Sequence, residues 1–246
     1  LFMEEPKETL WRYMPFAQLV RMLQTQKLWV SHVSSFEDKL EGTLDFTHWK
    51  INPDVRKDAI ENLISAFSNT YVSCWHSASS ESLAMWRLYG GQGFSVAVQT
   101  EWMRLARTIE GVLDYKTDSI GIIGAVNYVN PFDGSPVEKT KPNPLVIPMG
   151  VRNLSAPYYF QYLMRKSSAF AYEKEFRAVF DLKGQEGRGV EVPFKPEYLI
   201  TCVYVSPEAD DWMIETVKEL VHQQFGLTHI DVRRSDISPH FRGHNA

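Results

Sequence analysis

The 246 residues suffice for one large domain or two small ones, and 44% apolar residues supply a real core, so the chain reads as ordered and globular. A net charge of −4 argues against a broad nucleic-acid surface, with Arg233, Arg234 and Arg242 making a local basic patch at most, and no apolar run reaches the length of a membrane span. LFMEEPKETL lacks a signal-peptide core, and Cys74 and Cys202 lie in apolar, strand-like contexts, so a cytosolic setting with two buried free thiols is expected, without a disulfide or zinc framework.

LWRY, residues 10 to 13, is apolar on both sides of Arg12. Pro15 then opens a helix with Phe16, Leu19, Val20 and Leu23 at helical spacing. LWVSHV, 28 to 33, reads as a strand, and FEDKLEG, 36 to 42, as a turn whose Asp38 and Glu41 hold backbone amides. DVRKDAIENLISAF carries Ile60, Leu63, Ile64 and Phe67 on one helical stripe. In the strand YVSCWHS, alternation turns Ser73, Trp75 and Ser77 to one face and Cys74 and His76 to the other. SLAMWRLYGG is a short helix begun by serine and stopped by Gly90 and Gly91. GFSVAVQ is a strand, after which Thr100 is placed to cap EWMRLARTIE.

Pro131, Pro136, Pro142, Pro144 and Pro148 mark an irregular loop. A Tyr-rich helix, APYYFQYLMRKSS, follows, then the strands EFRAVFDL, GVEVPF and ITCVYV, a helix around DWMIETVKELVHQQF and a last strand, THIDVRR. With helices mostly early, strands gathered late, and neither repeat nor low-complexity linker, the expectation is a single α+β domain over residues 1–246. Its sheet is mixed and largely antiparallel, flanked by helices. No Gly-rich turn of Rossmann or P-loop type is present.

AYEKEFRAVFDL, 171 to 182, carries the strongest chemical signal. Phe176, Ala178, Phe180 and Leu182 alternate with Glu175, Arg177, Val179 and Asp181, the period of a half-buried strand. Extended backwards, that period puts Glu173 and Glu175 on one side with Arg177 beside them. Two readings compete: a solvated ladder of Glu and Arg, or a carboxylate pair in a cleft. Arg12, set in an apolar tetrapeptide, is either paired to a core carboxylate or forked onto a phosphate. Ser73 and Ser77 beside Trp75 are either satisfied serines around a packed indole or a pocket for a flat ring. His76 has no nucleophile motif around it, and the seven histidines are too scattered for a metal site.

The combination of LWRY, F-x-D-x-x-E-G, CWHSASSESLAMWRLY with the GFSVAVQT strand, and YEKEFRAVF resembles, over most of the chain, an uncharacterised bacterial family, domain of unknown function 2971. The order of an Arg on a first strand, a Ser-bearing strand and a late Glu-x-Glu is also similar to that of ADP-ribosyltransferases. That second resemblance implies an ADP-ribosyltransferase-like fold with NAD as substrate. Glu175 would then stabilise the oxocarbenium-like state at the ribose, and Arg12 would hold the pyrophosphate or adjoining ribose. Ser73 or Ser77 would support the nicotinamide ribose or the Glu, Glu173 would orient the acceptor, and Trp75 or Tyr172 would pack on nicotinamide. It further implies an unidentified macromolecular acceptor, protein or nucleic acid, and the setting of a bacterial toxin or phage-defence effector. The usual Ser-Thr-Ser is here Ser-Cys-Trp-His-Ser, which leaves the serine open, and FEDKLEG and MWRLY, with Trp86 and Tyr89, have no place in the scheme. Two other readings stand beside it: a non-catalytic nucleotide- or protein-binding module, and a metal-assisted hydrolase using carboxylates of FEDKLEG and YEKEF.

Overall fold

A computed structural model describes residues 9–36, 67–91, 94–113, 120–130, 147–149 and 163–237. The expected helix over DVRKDAIENLISAF, apart from Phe67, lies outside them, as do Asp38, Glu41, Arg242 and most of the proline-rich loop. In chain order the strands are β1 (Thr9–Pro15), β2 (Lys27–His32), β3 (Thr70–Ser77), β4 (Ser95–Glu101), β5 (Ile120–Ala125), β6 (Asn127–Val129) and β7 (Ile147–Met149). They continue with β8 (Arg165–Ser167), β9 (Glu175–Asp181), β10 (Gly189–Pro193), β11 (Cys202–Val205) and β12 (Asp231–Arg234). The helices are α1 (Phe16–Thr25), α2 (Leu83–Tyr89), α3 (Trp102–Val112), α4 (Pro196–Leu199) and α5 (Asp211–Lys218), the last continued by a π turn, Glu219–Gln224. Four of the strands precede α3, so strands are not confined to the late part of the chain.

These elements form two compact units. The first comprises Leu1–Leu28, Trp75–Thr108 and Pro193–Ala246. Its centre is β4, paired antiparallel with β1 from Thr9↔Glu101 to Pro15↔Ser95 and, on its other edge, with β11 from Cys202↔Gln99 to Val205↔Val96. Flanked on both edges, β4 buries Val96, Ala97 and Val98 completely, as its continuous apolar run requires. β12 adds in parallel to β11, and the end of β3 adds antiparallel to β1 at Trp11↔His76. Trp11, Tyr13, Met85, Trp86, Ala97, Cys202 and Tyr204 form a core in which the Trp11 and Tyr204 rings meet edge-on at 4.9 Å. The Ser82 hydroxyl caps α2 by accepting from the Met85 N–H, as the sequence suggests. Thr100 is not a cap: β4 runs through it to Glu101, and its buried hydroxyl donates to the Leu199 carbonyl.

The second unit comprises Trp29–Cys74 and Ile109–Val192. Here β9 lies between β3 and β5, pairing antiparallel with β5 from Ile120↔Asp181 to Ala125↔Phe176. All seven residues of β9 are buried, so it is not the half-buried strand its alternation predicts. Neighbours on both edges, with Val72, Ile122, Leu163, Met164 and Val179 packed together, remove its charged side from water as well. β5 also pairs with β7, and β2 pairs with β3 and β10. Gly189, which opens β10, is required by close approach: a Cβ there would meet the Trp29 ring at 2.3 Å and the Val30 carbonyl at 2.7 Å. RKSS, expected as the end of a helix, instead forms β8 and the start of a 3-10 turn, Ser168–Glu173. Parallel pairing of Arg165, Lys166 and Ser167 with Asn127, Tyr128 and Val129 takes its backbone.

Antiparallel pairs predominate, with β11–β12 and β6–β8 parallel, so the chain is α+β with mixed, largely antiparallel pairing and helices, as the sequence leads one to expect. Among the described residues no helix is long and apolar enough to cross a membrane.

Candidate active site

In the second unit the two glutamates come together on a lysine rather than through strand periodicity. Glu173 ends the 3-10 turn, Lys174 follows in the left-handed region at φ 42°, and β9 begins only at Glu175. Lys166 of β8 reaches both carboxylates, its Nζ lying 2.6 Å from Glu173 Oε2 and 3.5 Å from Glu175 Oε2. Arg177, two residues along β9 and therefore on the same side, donates from Nη2 to Glu175 Oε2 at 2.6 Å. Its Nη1 donates to the Leu163 carbonyl at 2.6 Å, and the guanidinium lies 5.2 Å from the Phe36 ring centroid.

Glu173 is 4% exposed, Glu175 7%, Lys166 8% and Arg177 0%, so the solvated ladder is excluded. Among the described residues two carboxylates and two cations share this buried site, and their formal charges cancel. Burial pushes the Glu175 carboxyl up. The charges of Arg177 and Lys166, with hydrogen bonds from Arg177 and Cys74, outweigh it and hold Glu175 below the ordinary carboxylate value. The backbone of Glu175 is equally fixed, its N–H donating to Tyr128 Oη at 2.7 Å and its carbonyl accepting from Val126 at 2.8 Å. Burial, partly offset by that amide, pushes the Tyr128 hydroxyl up to about 12, with the nearby carboxylates adding to the rise.

Cys74, half-buried on β3, is thus the side chain that meets Glu175, and strand alternation turns Ser73, 1% exposed, to the opposite side of β3. The thiol therefore stands on the Glu175 side of β3 and donates to that carboxylate. Tyr172 stands 49% exposed at the end of the 3-10 turn, its ring 6.5 Å from that of Phe170, which in turn lies 4.8 Å from Lys166 Nζ.

In the first unit Arg12, half-buried on β1, places its guanidinium 5.7 Å from the Trp75 ring centroid. Trp75 is 2% exposed, so of the two aromatic candidates Tyr172 is the one that presents its ring to solvent. Ser77 is half-buried at the end of β3, and His76 packs edge-on against Tyr13 at 6.1 Å. The MWRLY helix helps to fasten the chain after β12. Its Trp86 Nε1–H donates to Glu81 at 2.9 Å, and Glu81 also accepts from Ser235 Oγ at 2.6 Å and Asp236 N–H at 2.8 Å. Tyr89 is exposed. Among the described residues no group of three or more His, Cys, Asp or Glu is arranged to hold a metal.

Sequence reasoning missed Lys166, Tyr128 and the orientation of Cys74. Lys166 sits in a stretch read as helix, which leaves no periodicity from which to place it beside β9. The Cys74 side was legible, since alternation separates it from Ser73; what was missing was which side of β3 faces Glu175.

The fold is thus of the α+β class with a buried, fully ion-paired glutamate pair at the head of an interior strand. The chain is similar to the solved structure of Thermus sp. 2.9 DarT in complex with carba-NAD+, at 9% identity over 95% of this chain and 97% of that one, with a TM-score of 0.39. Superposition that loose says nothing about this chain's chemistry. No family model and no curated protein matches the chain.

Proposed function

We propose that the chain is an ADP-ribosyltransferase-like enzyme that takes NAD as substrate and transfers ADP-ribose to a macromolecule. The observation that carries this reading is Glu175: a carboxylate 7% exposed, kept ionised, and fixed at side chain and backbone on the first residue of β9. Such a group suits glycosidic cleavage of NAD. The bond from ribose C1′ to the nicotinamide nitrogen breaks, its electron pair leaves with neutral nicotinamide, and positive charge develops on the ribose. A fixed negative charge in a water-poor site stabilises that state more than the ground state. An acceptor nucleophile then bonds C1′ and loses its proton. The residue order supports the same assignment, with Arg12 in β1, Ser73 and Ser77 in β3 and Glu175 opening β9. Arg12 is assigned to the pyrophosphate or adjoining ribose, Glu173 to acceptor orientation, and the open ring of Tyr172 to nicotinamide.

One observation favours a second reading, a binding module without catalysis: Lys166 and Arg177 already neutralise both glutamates, as a purely structural charge network would. Nicotinamide release from NAD, with and without candidate protein and nucleic-acid acceptors, separates the two. Release by the wild-type chain, with transfer falling more than hydrolysis in Glu173→Gln, supports the enzyme. No release with any acceptor rejects it.

A further inference from the structure

We infer that Lys166 is a positioning residue for Glu175: by bridging Glu173 and Glu175 it sets where the reacting carboxylate lies and keeps it charged when the site is dry. The inference rests on the reading of Glu175 given above. Lys166 is delivered by β8, whose parallel pairing with β6 also supplies Tyr128, the hydroxyl that accepts the Glu175 amide. One short ladder therefore anchors the head of β9 twice, through the backbone by Tyr128 and through the carboxylate by Lys166. The ammonium is 2.6 Å from one glutamate and 3.5 Å from the other, so it belongs to Glu173 by contact and acts on Glu175 by charge. Arg177 holds the same Oε2 of Glu175 from within β9. Among the described residues, the charged and titratable groups facing Glu175 are thus Glu173 from the 3-10 turn, Lys166 from β8, Arg177 from β9 itself, Cys74 from β3 and Tyr128 from β6.

An opposite charge within about 4 to 6 Å lowers a carboxyl by roughly one to three pH units. Removing the Lys166 charge raises the Glu175 titration midpoint on that scale. The test is carbon-13 NMR titration of glutamate carboxyls in the full chain, with Glu175 assigned by Glu175→Gln. Lys166→Met is expected to raise the midpoint by about one to three units, and Lys166→Arg to leave it close to wild type. Lys166→Gln, which keeps a donor for Glu173 without the charge, stands in if Lys166→Met fails to fold. In the unaltered chain the nitrogen-15 shift of Lys166 Nζ is expected to move as Glu175 titrates. An unchanged midpoint in Lys166→Met or Lys166→Gln, or a Lys166 Nζ signal flat across the Glu175 midpoint, overturns the inference whichever variants fold. With NAD, the acid limb of kcat moves up with the midpoint while KM stays put, a response that a purely structural lysine does not give. If the wild-type chain releases no nicotinamide, the enzyme reading fails, and the NMR titration still decides the role of Lys166.

Discussion

Replacing Arg177 with methionine probes the part of the network that the structure buries most completely. The side chain is 0% exposed and its hydrogen bonds include two short ones, to Glu175 Oε2 and to the Leu163 carbonyl, each at 2.6 Å. Methionine fills much of the volume but supplies neither bond nor charge. Breaking a buried ion pair from one side costs about 3 to 5 kcal/mol, because the remaining charge is stranded. Lys166, 3.5 Å from the same oxygen, still shields Glu175, which pulls the expected loss toward the lower end. The stranded Leu163 carbonyl adds about 1 kcal/mol or more. Arg177→Met is therefore expected to lower unfolding free energy by about 3 to 4 kcal/mol in urea denaturation at neutral pH, with an unchanged m-value.

The double variant Arg177→Met/Glu175→Gln removes both charges and is expected to recover at least about 1 kcal/mol of that loss. The pH dependence has a defined sign. Glu175 is depressed below its ordinary 4.5 in the fold, so its contribution is present above that value and is lost as pH falls through the depressed one. Without Arg177 the carboxyl rises and the acid-sensitive window moves to higher pH. A loss below about 1 kcal/mol, the range of exposed ion pairs, with an unshifted acid limb, refutes the reasoning.

Gly189→Ala is expected to destabilise by about 1 to 3 kcal/mol, because the new Cβ overlaps the Val30 carbonyl, which cannot swing away as the Trp29 ring can; thermal melting checks it. Burial, with the Asp231 charge adding, pushes the Cys202 thiol from 9.0 to about 12, so its neutral form stabilises the fold fully below pH 9 and that contribution is lost as pH rises from 9 to 12. Cys202→Ala should flatten this alkaline loss, and a thiol reagent on the native chain should label half-buried Cys74 first. Arg12→Lys is expected to keep the melting temperature near wild type while weakening NAD binding in calorimetry, since lysine offers a point charge without the guanidinium fork or its stacking over Trp75. Unaltered binding removes Arg12 from its proposed role.

The alternation of EFRAVFDL placed β9 and put Arg177 beside Glu175 correctly, because strand period is local and survives any packing. It could not show that the charged side is buried, which depends on β3 and β5 covering both edges and on segments distant in sequence closing over the face. Glu173 illustrates the same boundary from another side. Its partnership with Glu175 was anticipated, but by a continuous strand; the actual route is a 3-10 turn and a left-handed Lys174, a conformation that lysine does not advertise. The caps divide likewise. Ser82 acts locally and was readable, whereas Thr100 was drawn into a strand whose two neighbours, β1 and β11, come from opposite ends of the chain. Lys166 was invisible because its ion pairs lie with partners 7 and 9 residues away across a turn that broke the expected helix.

Nicotinamide release by Glu175→Gln beside the wild-type chain, with NAD affinity measured on both, tests the central claim most directly. Glutamine keeps the shape of the side chain and removes the charge that favours the transition state over bound NAD. The expected result is affinity close to wild type and a rate lower by about a hundredfold to a thousandfold, in a protein whose melting shows it folded. Nicotinamide released by Glu175→Gln as fast as by the wild-type chain contradicts the assignment of Glu175 as the reacting carboxylate.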